Sequence, residues 1–324
     1  MLKYIIKRLL HMIPIIFGIT LISFAVIHMA PGKPTDLVTQ LNPKVDLEAR
    51  EKLNKIYGFD KPLYTQYFNW IKKIARFDFG KSFVDSRPVI DKIKERLPIT
   101  VFINVLSMLI IFIISIPIGI KSALEKGSLF DKISTVAVFI GFAIPSFWLA
   151  LILISFFGVR LGILPVSGIV SLDFENLPLL YKMLDLAWHL ILPVLVLSIG
   201  GIAGFSRYMR QSMLNVEHQD FIRTARAKGL SEKDVIYKHA IKNAMLPIIT
   251  ILGLSVPALL SGSVIVERIF SIPGMGLLMF ESVFMRDYNV IMGVLIMSAI
   301  LTLFGNLVAD IAYMYADPRI RYEK

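Results

Sequence analysis

Residues 219–250, QDFIRTARAKGLSEKDVIYKHAIKNAMLPIIT, form a polar, basic stretch set between two long apolar runs. Two short helical patterns meet in it at Gly229-Leu230-Ser231. The first, 221–228, is rich in Ala, Arg and Lys, which are good helix formers. Gly229 stands where a helix needs a left-handed residue after its last turn, a conformation Gly adopts without a Cβ clash. Ser231 then caps a second helix, with Asp234 three residues on in the manner of a capping box. Val235, Ile236, Ala240 and Ile241 fall on one face of that helix, and Lys233, Lys238 and Lys242 on another. The local expectation is a basic helix–turn–helix on a membrane surface; an ordinary charged loop is the plain alternative.

The rest of the chain supplies the membrane. Of 324 residues 56% are hydrophobic and 18% charged, with a mean hydropathy of +0.68. Soluble domains average about 25% charged and 45–50% apolar residues. Six runs, approximately 9–30, 99–120, 133–158, 188–206, 245–266 and 289–314, reach the roughly 17–25 residues that span a bilayer. The first has a basic start, but its apolar stretch exceeds the 7–15 residues usual in a signal-peptide core, and MAPGKP is a poor cleavage site. It reads as an uncleaved helix. With both termini cytoplasmic, the inner segments 1–8, 121–132, 207–242 and 316–324 hold 17 Lys and Arg, against 4 in the outer loops 159–187 and 267–288. Segment 31–98 is too long for that count and too long for a connector. Runs 46–57 and 63–76 read as amphipathic helices, and Ser86 as the cap of a third, with Val89, Ile90, Ile93 and Leu97 along one face. A net charge of +11 is accounted for by this membrane-topology bias, without nucleic acid.

Catalytic chemistry is not legible. The chain has no cysteine, which excludes disulfides and thiolate sites. Gly80-Lys81-Ser82 ends like a phosphate-binding loop, but that motif needs Gly five residues earlier and position 75 is Ala. Five histidines show no metal-binding spacing, and His189 reads as an interfacial hydrogen-bonding residue. Ser146, Ser255, Ser261, Ser263 and Asn306 are candidates for lining a path through the spans, although small hydroxylated residues also mediate helix packing. No charge sits deep in the spans, which argues against a proton or ion relay and suits neutral or zwitterionic cargo. An ion-coupled secondary transporter would need such groups, and a membrane-anchored scaffold would not need six uncharged spans.

The stretch RTARAKGL with its downstream Leu246-Pro247 resembles the EAA loop of bacterial ABC-importer permeases, in the dipeptide/oligopeptide/nickel branch. Arg223 and Thr224 stand where the loop's name-giving Glu and first Ala would be, and 18 positions separate Gly229 from Pro247; both are usual in that branch. The resemblance continues through YGFDKPLYTQYFNW and DFGKS, Leu97-Pro98, Pro145-Ser146-Phe147-Trp148-Leu149, LGILPVSG at 161–168, HLILP at 189–193, the Phe270-x-x-Pro273-Gly274-x-Gly276 motif and Asp317-Pro318-Arg319. It implies an all-α polytopic protein of the type I importer fold. A peripheral helix at 1–30, a helical extracytoplasmic segment at 31–98, a five-helix core at 99–314 holding the coupling loop 219–247, and a tail at 315–324 would follow. It also implies a non-catalytic permease in a bacterial or archaeal cytoplasmic membrane, carrying short peptides or, alternatively, nickel complexes or another small solute. The implied partners are a homologous second permease, two ATPase subunits that bind ATP and Mg, and an extracytoplasmic binding protein. Arg223, Thr224, Ala225, Ala227, Gly229, Leu230, Ser231, Val235, Ile236, Tyr237 and Pro247 would carry the coupling to the ATPases.

Overall fold

A computed structural model describes residues 2–29, 60–260 and 262–316, with side chains from 6 to 29, 60 to 260 and 262 to 311. The helix expected at 46–57, the path candidate Ser261 and the motif at 317–319 lie outside the described residues. The chain divides into two compact units, one of Met1–Thr100, Leu260–Val264 and Gly274–Leu307, the other of Val101–Leu259, Ile265–Pro273 and Val308–Lys324.

In the first unit, α1 (Leu2–Met29) is the apolar run expected at 9–30, extended back through its basic start. Against it packs α2 (Leu63–Ile74), whose buried Tyr67 meets the Phe24 ring edge-on at 5.3 Å between centroids. The Tyr67 hydroxyl lies 3.0 Å from that of fully buried Thr20. Aromatic pairs of this geometry contribute about 0.5–1.5 kcal/mol beyond their buried area, so the amphipathic reading of 63–76 is realised as a docked helix.

The next element departs from expectation. Ser86 has φ of +60° and does not cap a separate helix. Instead α3 (Val89–Leu124) runs unbroken for 36 residues through Pro98, about 54 Å at 1.5 Å per residue. The face expected of its first turns holds, with Val89 0% and Ile93 1% exposed. These two pack with Phe79, Met275, Leu278, Val290 and Val294. The Gly80-Lys81-Ser82 turn acts as a latch: Ser82 donates its hydroxyl to the buried carboxylate of Asp287, Phe83 N–H donates to Asp287 Oδ1 at 3.1 Å, and Asn289 Nδ2 donates to Lys81 O at 2.7 Å. In the same turn burial pushes the Asp85 carboxyl up, but hydrogen bonds from Lys92 (2.7 Å), Ser82 and the Arg87 N–H outweigh it and hold the group at about 2. Segment 267–288, expected as a loop, carries an apolar helix Met275–Phe284, whose first N–H donates to Thr100 Oγ1 at 2.8 Å. Helix Tyr288–Ala316 follows.

In the second unit, α4 (Leu129–Ala143) and α5 (Ser146–Leu153, continued in π form to Arg160) replace the single run expected at 133–158. The two are bent by 101°. Pro145 causes the break: it has no N–H to donate and pushes Ile144 into extended backbone, ψ 117°. The 39-residue α6 (Leu179–Glu217) is the long support of this unit. It packs parallel to α3, since Ser198 Oγ donates to Ser107 O at 3.2 Å, Ile111 rests on Gly201, and Gly119 lies against Met209. A Cβ at Gly119 would come within 2.6 Å of the Met209 Cβ, so only Gly permits that approach. Helix α4 is antiparallel to α6, with Gly141 beside Ile199 and Ala203 and Asp131 beside Arg210. His189 is buried, with Nδ1 2.9 Å from Asp185 O. Asp185 in turn accepts both the N–H and the hydroxyl of Ser171, at 2.8 and 2.5 Å. The fifth run ends earlier than expected, at Leu260, and Val264–Ile269 is a separate short helix.

Among the described residues five helices are long and apolar enough to cross a membrane, or six if the pair α4–α5 makes one span.

Candidate functional site

The basic stretch folds as a clasp on the end of α6. Helix α7 (Asp220–Ala227) opens with Asp220 in its first turn, the sign that suits a helix N-terminus. It closes on Gly229 at φ +78°. Gly229 N–H donates to Arg226 O at 3.0 Å and Leu230 N–H to Ala225 O at 3.4 Å. Those are the two bonds of a Schellman motif, so the residue read as a left-handed stop has that role. Ser231 then caps α8 (Glu232–Asp234), its Oγ accepting from Asp234 N at 3.2 Å. The capping box is incomplete: the Ser231 hydroxyl donates to Asp234 Oδ2 at 2.9 Å, and the carboxylate does not reach back to the backbone of Ser231.

Beyond Asp234 the chain leaves the straight helix that the sequence suggested. Residues Val235–Ala240 take a π turn and continue as α9 (Ile241–Ser255). The apolar spacing accounts for it. Val235, Ala240, Ala244 and Ile248 are all buried in one cluster, at steps of five, four and four residues. An α-helix turns 100° per residue and would carry a five-residue step off that face, whereas a π turn absorbs the extra residue. Asn243 Nδ2 donates to His239 O at 2.8 Å, satisfying a carbonyl within the turn.

The seat of this clasp is apolar and buried. Met209 (0% exposed), Met213 and Val216 of α6 pack against Ile222 (1%) and Ala225 of α7, against Val235 and Ala240, and against Ala123 of α3. Full burial of a side chain such as Ile222 contributes about 1.5–3 kcal/mol. Ser212 Oγ donates to Ala244 O at 2.8 Å, tying α6 to α9. On the outside, Arg226 forks onto Glu232, at 3.1 Å from Nε and 2.6 Å from Nη2, with Glu217 at 3.9 Å.

The expected coupling residues therefore divide in two. Arg223, Thr224, Ala227, Gly229, Leu230, Ser231 and Tyr237 are exposed, Tyr237 by 64%. Ala225 and Val235 are buried in the seat, and Ile236 is half-buried. These inward residues hold the tip and do not offer it to another protein. Pro247 is exposed inside α9, where it leaves the Asn243 carbonyl without its helical donor. Of the path candidates, Ser146 is exposed at the start of α5, and Ser255 turns its hydroxyl back to Ile251 O at 2.8 Å. Ser263 and Asn306, in the other unit, are half-buried.

One group beside the seat escaped the sequence reading. Asp131, 5% exposed, takes a two-pronged bond from Arg210 at 2.7 and 2.8 Å, a third from Gly127 N at 2.9 Å and a fourth from Ser122. A buried carboxylate is tolerated when its lone pairs are filled in this way. The pattern Ser128-x-x-Asp131 just after Gly127 was the available signal, and Ser128 does cap α4. Among the described residues no group of three or more His, Cys, Asp or Glu could hold a metal ion.

Comparison with known proteins identifies the architecture. The family described as "Binding-protein-dependent transport system inner membrane component" matches residues 115–322, and its N-terminal companion, "Binding-prot-dependent transport system membrane comp, N-term", matches residues 1–104. The chain is 45% identical over 323 residues to the oligopeptide transport system permease protein AppB of Bacillus subtilis, covering 99% of this chain and 100% of that one. It is 37% identical over 340 residues to the di/tripeptide transport system permease protein DppB of Pseudomonas aeruginosa, and 38% over 323 residues to the glutathione transport system permease protein GsiC of Escherichia coli, each aligned over 100% of both chains. The chain belongs to the binding-protein-dependent inner-membrane permeases, the type I ABC-importer membrane subunits that carry no catalytic site of their own.

Proposed function

We propose that this permease forms half of a path for short peptides, opposite a homologous second permease, and that it is driven by two ATPase subunits seated on loop 219–247. An extracytoplasmic binding protein delivers the peptide. The observation that carries the reading is the clasp: a tip of exposed residues around Gly229, held by buried Ile222, Ala225, Val235 and Ala240 on the end of a 39-residue helix. A tip so anchored transmits a push to the spans in place of folding away. Coupling then follows from a difference in how the tip fits the ATP-bound and ATP-free ATPase pair, since no ligand shifts an equilibrium without such a difference.

Short peptides are favoured as cargo because the similar permeases just named serve oligopeptides, di- and tripeptides and glutathione. The 17-to-4 distribution of Lys and Arg supports both termini and the clasp on the cytoplasmic side of a bacterial or archaeal membrane. In this arrangement 1–30 is a peripheral helix, 31–98 an outer segment that helps receive the binding protein, 99–314 the core and 315–324 an inner tail. ATP and Mg are bound by the partners.

The test is uptake by the reconstituted permease pair, ATPases and binding protein in liposomes, with labelled di-, tri- and tetrapeptides and with a nickel chelate as competitor. ATP-dependent peptide accumulation that the chelate leaves unchanged is the expected result. Uptake of the chelate in preference to every peptide would overturn the cargo assignment.

A further inference from the structure

A pocket opens between α3, α4 and α6, on the side of α6 where Asp131 meets Arg210. It has a volume of about 250 Å³, and its walls include Ser122, Ser134, Thr135, Arg207, Arg210 and Gln211. We propose that this pocket binds the phosphate of an anionic phospholipid headgroup.

The charge balance points to an anion. Two guanidinium groups line the pocket, and the carboxylate beside it, Asp131, is fully engaged by Arg210, Gly127 and Ser122. Arg207 is exposed, and among the described residues it has no hydrogen bond and no carboxylate within 4 Å, its one polar interaction being a cation–π approach of 5.8 Å to the Phe139 ring. The Thr135 hydroxyl likewise has no partner among the described residues, so the pocket presents a free planar cation beside a free hydroxyl donor. Guanidinium and hydroxyl donors are the groups that fork onto phosphate oxygens.

The surroundings point to a lipid as the source of that phosphate. The outer face of α4 next to the pocket exposes Ile133, Val136, Phe139 and Ile140 by 54–60% each, an apolar strip on which acyl chains can lie. The pocket lies about one and a half to three turns from the N-terminus of α4, toward the Lys126 and Lys132 end of the α4–α5 pair. Basic pockets between spans are a known form of anionic headgroup recognition.

Occupancy would bear on the clasp. Arg210 shares a turn with Met209 and lies one turn from Met213, both of which floor the clasp seat. A bound headgroup would stiffen that end of α6, and this regulatory consequence rests on the coupling reading above. Lipid binding itself does not, and it is measured on the permease without ATPases, so the two fail separately.

The permease is delipidated in detergent, reloaded with phosphatidylglycerol or phosphatidylcholine, and its retained lipid counted by native mass spectrometry. Wild type is expected to retain phosphatidylglycerol in preference to phosphatidylcholine. Arg207→Gln is expected to lower that retention about tenfold, in line with the loss of one charged hydrogen-bonded contact. Arg207→Lys should keep most of it, and Lys126→Gln, exposed and outside the pocket, should keep all of it. An unchanged thermal unfolding curve shows that Arg207→Gln is folded. Equal retention of the two lipids, or wild-type retention by Arg207→Gln, would overturn the proposal. So would displacement of the lipid by excess inorganic phosphate, which would make this a soluble-anion site.

Discussion

Substituting Gly229 by Val strains one turn and nothing else. The residue holds φ of +78°, and a Cβ there would meet nothing within 4 Å, so the effect is one of backbone conformation and not of crowding. A β-branched residue in the left-handed region costs about 1–2 kcal/mol. If the turn rearranges to relieve the strain, the bonds from Gly229 N–H to Arg226 O and from Leu230 N–H to Ala225 O are lost. At 1.4 kcal/mol per factor of ten, the population of the native tip falls about 5–30-fold. The seat below it, buried in Ile222, Met209 and Ala244, is untouched, so insertion and expression survive. Capture of the ATPase should weaken by the same 5–30-fold, read by co-purification over a range of ATPase concentrations and by substrate-stimulated hydrolysis in liposomes. Gly229→Asn separates the causes, because Asn tolerates this φ at much lower cost. It should retain most of the capture. Wild-type capture and hydrolysis by Gly229→Val would refute the reasoning, and an Asn variant as impaired as Val would show that the interface rejects any side chain at this position.

Three further outcomes are expected. Ala244→Leu forces a larger side chain into a site that is 0% exposed and should lift α9 from α6 at a cost of about 1–3 kcal/mol, seen as faster proteolysis across 219–240. The Asp85 carboxyl, held at about 2 against an ordinary 3.8, stabilises the latch turn above about pH 4 and loses that contribution as pH falls from 3.8 toward 2; hydrogen exchange in 77–88 should rise over that window in wild type and show no such step in Asp85→Asn. A cysteine placed at exposed Asn69 of this cysteine-free chain should react with impermeant reagents added from outside the cell, and reaction from the cytoplasmic side alone would reverse the proposed orientation.

Where structure follows from a residue's own chemistry, the sequence could be read closely. Gly229 and Ser231 stop and start helices through bonds spanning a few residues, and both do so as read. Pro145 falls inside a run that reads as one span; a proline there breaks a helix, but the 101° of the bend depends on how α4 and α5 each pack on α6. The π turn at 235–240 was out of reach because it answers to a partner surface: only the position of Ala244 and Ile248 against α6 shows that Val235 and Ala240 must share a face. Helix Met275–Phe284 was missed for length, ten apolar residues being too few for a span. Arg210 looked like one more positive charge at the end of an apolar run, and its partner Asp131 lies 79 positions away.

The parallel course of α3 and α6 carries a parity rule. Two spans that point the same way can be joined only if the intervening chain recrosses the bilayer an odd number of times, and between Leu124 and Leu179 only the bent pair α4–α5 is apolar enough to do so. The kinked pair then counts as one return, whatever its angle, which is the six-span reading that length and composition allow among the described residues. It also follows that the short turn after Leu124 and the clasp after Glu217 emerge on one side. A reporter at exposed Lys126 reads the sidedness of Gly229 without touching the clasp it reports on.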